Sequence, residues 1–286
     1  MTARQSSFSR RSLAIAGALI GTVSLAIGAH AALNKRTLDP VKAVAIGQAP
    51  DTGKTGGKLA LVIGNGHYPD ASEPLSQPIN DARALDGALR RDGFDVDVIE
   101  DATKDDMARA IARLQAKIKP DSVVMLFYGG YAIQAGQESY MIPVDATIWK
   151  ERDVRRDGTS VEKVLEVMKS QGARAKLVVL DASRRNPYER RFRAFSHGLA
   201  QINAPANALV LSSATPGKVV NDSDGRNSVL VAELLNNLDG KPAGAEAVFN
   251  KTRTAISRAS EGEQVPSVSS SLLEDVRLGA EPDAGS

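Results

Sequence analysis

The chain has 286 residues, 42% of them apolar and 24% charged, an ordinary globular composition with length for one large α/β domain or two small ones. There is no cysteine, which excludes a disulfide scaffold, a thiolate metal site, an iron–sulfur cluster and a cysteine nucleophile. With 36 basic and 34 acidic residues the net charge is +2, and no basic excess points to nucleic acid.

Residues 1–31 carry Arg4, Arg10 and Arg11 and no acid, followed by an apolar run from Leu13 to Ala29 and the small-residue ending Ala29-His30-Ala31. A basic start, an apolar middle and a small-residue cut site predict a signal peptide cleaved after Ala31, and hence an exported, periplasmic protein. Ser9-Arg10-Arg11-Ser12-Leu13 is similar to a twin-arginine export signal, with Leu13 and Ala14 where that motif prefers Phe and Leu. The alternative is an uncleaved membrane anchor, for which 17 apolar residues are slightly short. Residues 32–57, rich in Gly, Pro, Thr and Lys, read as a linker, and 279–286 as a flexible tail. Gly47 followed by Gly53-Lys54-Thr55 imitates a phosphate-binding loop. It has five intervening residues where the motif needs four, and it runs into a strand instead of a helix.

Between linker and tail, 58–278 reads as one domain. Leu59–Ile63 is a short apolar run stopped by Gly64, the signature of a buried strand. Ile79, Ala82, Leu85 and Leu89 recur at helical spacing; Phe94, Val96 and Val98 alternate as in a strand. Met107, Ile111, Leu114 and Ile118 mark a second helix, with Thr103 as its N-cap. Val123–Tyr128 is another buried strand, and Thr159 with Glu162 forms a capping-box pattern ahead of Val161, Val164, Leu165 and Met168. Strands at 177–180 and 209–211 and helices near 228–238 and 246–259 complete the pattern. Strands alternating with helices predict a mainly parallel sheet covered on both faces, with function collected at the carboxyl ends of its strands. Those ends are Gly64-Asn65-Gly66, Tyr128-Gly129-Gly130-Tyr131 and Asp181-Ala182-Ser183.

These ends, in order, resemble a known family. Leu61-Val62-Ile63-Gly64-Asn65 with Tyr68, and Pro78-Ile79-Asn80-Asp81-Ala82, resemble the opening of bacterial metacaspase-like members of the caspase family. Leu126 to Gln134 resembles the segment that carries the family's catalytic histidine, and Tyr140 to Ala146 the stretch after it. Val179 to Pro187 resembles the segment that carries the catalytic cysteine; Ala214–Gly217, Asp224–Ser228 and Gln264-Val265-Pro266 also look like the family. The resemblance implies a three-layer caspase-like fold, a mainly parallel sheet of about six strands with helices on both faces. It places Tyr131 at the histidine position and Ser183 at the cysteine position, 52 residues apart, where the family separates its pair by about 50.

Both replacements act against the family's chemistry. A serine hydroxyl is far less acidic than a thiol and needs a well-placed base. A tyrosine, with a pKa of about 10, does not readily take a proton at neutral pH and return it to a leaving amine. The resemblance therefore implies a domain that has lost its dyad and binds a peptide or protein partner through the inherited cleft. The family's acidic pocket takes Arg or Lys side chains, and the matching positions are Asp81 and Asp181, with Ser228 as a further binding position. Charge compensation at a helix start (Asp81) and a strand-end carboxylate bonded to amides (Asp181) are their structural alternatives. Two other function classes stay open: a hydrolase using Ser183 with His67, which lacks the Gly-x-Ser-x-Gly elbow, and a purely structural envelope protein. Neither cofactor nor metal is expected. Many metacaspases use calcium bound by acidic residues; only Asp145 falls in a matching segment, so the resemblance does not carry calcium over. Arg184, Arg185, Arg190, Arg191 and Arg193 read as a solvated loop, or as partners that fill the pocket from within.

Overall fold

The computed structural model describes residues 56–69, 74–184, 187–188, 198–220, 225–238 and 242–279. The expected export signal, nearly all of the expected linker, His30, His197, Arg185, Arg190, Arg191, Arg193 and all but the first residue of the expected tail lie outside them. In chain order the elements are β1 (Lys58–Gly64), α1 (Gln77–Arg91), β2 (Phe94–Glu100), α2 (Lys104–Lys117), β3 (Val123–Gly129), β4 (Ala132–Ala135), β5 (Glu138–Met141), α3 (Glu151–Asp157) and β6 (Thr159–Ser160). There follow α4 (Val161–Ser170), β7 (Ala175–Asp181), β8 (Ala208–Ser212), α5 (Val229–Leu238), β9 (Ala243–Gly244), α6 (Ala245–Ala259), β10 (Ser267–Ser270) and β11 (Arg277–Leu278).

Six strands form the main sheet, in the order β10-β8-β7-β3-β1-β2. Five run parallel, and β10 closes the β8 edge antiparallel. The side-chain period of two divides each central strand between two cores. Leu59, Leu61 and Ile63 of β1, Val124, Leu126 and Tyr128 of β3, and Val178 and Leu180 of β7 share one cluster with Met107 and Leu114 of α2 and Leu165 and Met168 of α4. Ala60 and Val62, Val123, Met125 and Phe127, and Ala175, Leu177 and Val179 share the other with Leu85 and Leu89 of α1, Leu234 of α5 and Phe249 of α6. This is the three-layer α/β arrangement expected, with near-continuous apolar strands because neither face sees water.

Two local features differ from the sequence reading. The cap of α4 is Ser160, whose side chain accepts from Lys163 N, and not Thr159. Thr159 and Ser160 pair with β5, and Glu162 is turned to the Ser139 amide (3.0 Å) and the Ser160 hydroxyl (3.2 Å). Second, the chain after β3 does not stay irregular. β4, β5 and β6 make a small antiparallel sheet. Its apolar residues Ile133, Ala135 and Tyr140 pack with Tyr68, Tyr131, Val154 and Tyr188 in a third cluster. The four-residue strands carry too little alternation to announce themselves.

Candidate functional site

β1 is followed by β2 on one side and, after α2, by β3 on its other side. The strand order therefore reverses between β1 and β3, the switch point at whose carboxyl ends open α/β sheets place their sites. Register brings Gly64, Gly129 and Asp181 level across three adjacent strands. The first turn of α1 crosses this row closely. A Cβ on Gly64 would strike the Pro78 carbonyl, and one on Gly129 would sit 3.3 Å from the Pro78 Cβ. Two glycines thus let the start of α1 come down onto the strand ends.

Asp181 ends β7 on the face that carries Leu177 and Val179, the face covered by α1, α5 and α6. That parity gathers the carboxylates. Asp81 in the first turns of α1 and Asp181 are 0% and 2% exposed. Asp81 Oδ1 accepts from Asn227 Nδ2 (2.8 Å) and from the Ser228 amide (3.0 Å). Ser228 in turn accepts the Val231 amide on Oγ (3.1 Å), capping α5. Gln77 Nε2 donates to the Gly225 carbonyl (3.0 Å) and Asn80 Nδ2 to that of Arg226 (3.1 Å), so α1 holds the segment before α5 along its length. The Oδ2 atoms of both Asp81 and Asp181 are buried and accept no hydrogen bond. Burial, then the charge of Asp181, push the Asp81 carboxyl up to about 7, against hydrogen bonds from Asn227 and Ser228.

Arg184 corrects the reading of the arginine run as a solvated loop. Its side chain is 5% exposed, with Nη1 donating to the Asp181 carbonyl and to the Gly130 carbonyl (3.3 Å). Nη1 stands 3.7 Å from Asp181 Oδ1. One arginine of the run therefore reaches the carboxylate site from inside the chain.

The two dyad-matching positions sit in closed surroundings. Tyr131 is 7% exposed, its ring edge-on to that of Tyr68 with centroids 4.9 Å apart. The Tyr131 amide donates to Tyr68 Oη (3.0 Å), and Tyr128 Oη donates to the Tyr131 carbonyl (2.6 Å). Tyr68 Oη and Tyr128 Oη are 3.1 Å apart, and burial pushes the Tyr68 phenol up to about 12. Between the strand and Tyr131, only glycine fits: a Cβ on Gly130 would lie 2.6 Å from Tyr68 Oη and 2.7 Å from Tyr128 Oη. Ser183 is 1% exposed; its amide donates to Ser213 Oγ (3.3 Å) and its carbonyl accepts from Val220 N (2.8 Å).

His67 is not brought to Ser183. It is turned to Asp101, with Nδ1 2.6 Å from Oδ2, and its side chain is 72% exposed. Burial works to raise the Asp101 carboxyl, but the amides of His67 and Gly66 and the His67 ring outweigh it and hold Asp101 below the usual carboxylate range. Asp145 accepts from the Lys104 amide (2.9 Å), at the start of α2. Among the described residues no group of three or more His, Asp or Glu is placed to hold a metal ion. The sequence reading brought Asp81, Asp181 and Ser228 into one site but assigned no role to Asn227 and Ser213, neutral residues whose importance depends on what the fold puts beside them.

This fold, with its site at the switch point, defines an α/β protein of the caspase type. Residues 57–277 match the family model described as the caspase domain, and the chain belongs to that family. The chain is 28% identical over 134 residues to the mucosa-associated lymphoid tissue lymphoma translocation protein 1 of Homo sapiens, and equally to its Mus musculus homolog. The similarity covers 46% of this chain and 16% of each relative, so the chain aligns with a small part of those proteins' length.

Proposed function

We propose that this caspase-family domain is a binding module that has given up peptide hydrolysis, and that Asp81 and Asp181 receive the Arg or Lys side chain of a peptide or protein partner. One observation carries the reading: two buried carboxylates converge at the switch point, each with an oxygen that accepts no hydrogen bond. Buried acceptors are almost always satisfied, and a buried anion needs a counter-charge. A guanidinium or ammonium supplies both, through charge-assisted hydrogen bonds. Loss of hydrolysis is supported by the residues at the dyad-matching positions. The Tyr131 phenol is packed against Tyr68, and none of the described hydrogen bonds of Ser183 reaches a histidine. Without a base the hydroxyl stays a poor nucleophile.

The test pairs binding with turnover. Acetyl-Ala-Ala-Arg amide binds in a calorimetric titration, and Asp81→Ala or Asp181→Ala weakens it by about ten- to a hundredfold. The matching fluorogenic Arg substrate is not turned over. Absence of binding would leave a structural protein; turnover abolished by Ser183→Ala would make the chain a serine hydrolase. The basic, apolar and small-residue pattern of 1–31 supports action outside the cytoplasm. Mass spectrometry of the exported protein then finds an N-terminus at Ala32; a chain that keeps Arg10 and Arg11 overturns this.

A further inference from the structure

We propose that the Asp81–Asp181 site holds a proton when empty and exchanges it for the basic side chain it binds, so that its occupancy falls as the surroundings acidify below neutrality. This rests on the proposed binding reading and adds its regulation. The groups around Asp81 come from four places. The end of β7 supplies the Asp181 carboxylate, and the chain just after it the Arg184 guanidinium. The segment before α5 supplies Asn227 and Ser228, both neutral, with Arg226 exposed to solvent. α1 itself supplies Gln77 and Asn80, while its Arg83 is turned away to Glu100 (2.6 Å). At the ends of β1 and β3, Gly64 and Gly129 stand against the start of α1 and bring no charge. Among the described residues, two buried carboxylates thus face one guanidinium, and that guanidinium stands on the Asp181 side, bonded to the Asp181 and Gly130 carbonyls.

Among the described residues the cluster carries one negative charge more than its own cation balances, and both carboxylates are buried. Such an excess is removed by a proton or by a cation. Asp81 is the group to take the proton, since its hydrogen bonds come from neutral donors and its Oδ2 is free. The upward displacement of its carboxyl to about 7 agrees with this placement. A partner's guanidinium cannot share Oδ2 with that proton, so the two compete.

Calorimetric titration of the full chain with acetyl-Ala-Ala-Arg amide between pH 5.5 and 8.5, in buffers of different ionisation enthalpy, decides it; the ligand itself does not titrate in this range. The affinity should fall about tenfold per pH unit below about 7 and level off above it. About one proton should be released per peptide bound near pH 6, and none near pH 8.5. Asp81→Asn should remove both effects. His67→Gln should leave them, because that ring is turned to Asp101. Equal affinity across the range with no proton released would overturn this inference and leave the binding reading standing. Loss of the dependence in His67→Gln would do the same. No binding at any pH would overturn the binding reading and this inference with it.

Discussion

At the scale of single residues, Asp81 makes an unusual demand. A carboxyl raised to about 7 in the folded chain by burial and by Asp181 returns to about 4 when the chain unfolds. Between these values the folded state holds a proton that the unfolded state has lost. Unfolding then releases that proton, so stability falls as pH rises from about 4 and stays low above about 7. Asp81→Asn has no proton to lose, keeps an oxygen for Asn227 and the Ser228 amide, and turns an NH₂ group towards the open carboxylate. It should raise stability at pH 8 by on the order of 1–3 kcal/mol while changing it little at pH 4, read from urea denaturation at both values. Most buried substitutions destabilise, so the sign alone separates a strained site from an ordinary core position.

At the scale of elements, the strand-to-loop break after β3 is firmly braced. Tyr128 is the last large residue of β3. Its hydroxyl donates to the Tyr131 carbonyl (2.6 Å), lies 2.9 Å from the Ile142 carbonyl, and accepts from the Ile142 amide (3.1 Å). One buried phenol thus ties β3 to both ends of the β4–β5 hairpin. Tyr128→Phe strips partners from buried backbone groups and should cost about 1–3 kcal/mol, measured as a lowered denaturation midpoint at unchanged slope. Tyr140→Phe removes a hydroxyl that reaches Glu138 (2.8 Å) nearer to solvent and should cost less than about 1 kcal/mol. If the two variants were equally stable, the tyrosine cluster would not be what holds Tyr131 in place. The bracing also bears on chemistry: a side chain packed into the Tyr68 cluster is not free to swing between a nucleophile and a leaving group.

At the scale of the whole molecule, topology decides which side chains can meet. α1, α5 and α6 cover one face of the sheet, while α2 and α4 cover the other. Asp81 and Ser228 belong to the first face through α1 and the start of α5, and Asp181 joins them by strand parity. The third cluster, with Tyr68, Tyr131 and Tyr188, gathers around the small sheet. The carboxylate pair and the aromatic cluster are therefore each supported by their own core, and a change in one need not disturb the other.

Much of this was legible in the amino-acid sequence. Buried parallel strands are apolar on both faces and stand out as unbroken runs, so β1, β3, β7 and β8 were readable at their centres. Thr103 capped α2 as expected, with Asp106 completing the box. The absence of cysteine, and Tyr131 and Ser183 in segments that resemble a dyad's, were likewise properties of the sequence alone. The short β4, β5 and β6 were not readable, because two to four residues carry no resolvable period. Nor was the fate of Arg184, which in composition is one arginine among five and in space is the buried partner of Asp181. Sequence determines which charges and shapes the chain possesses. Only the tertiary structure decided that Asp81 and Asp181 stand together in a buried place, because burial and proximity, which set the energy of a charge, are properties of the folded chain.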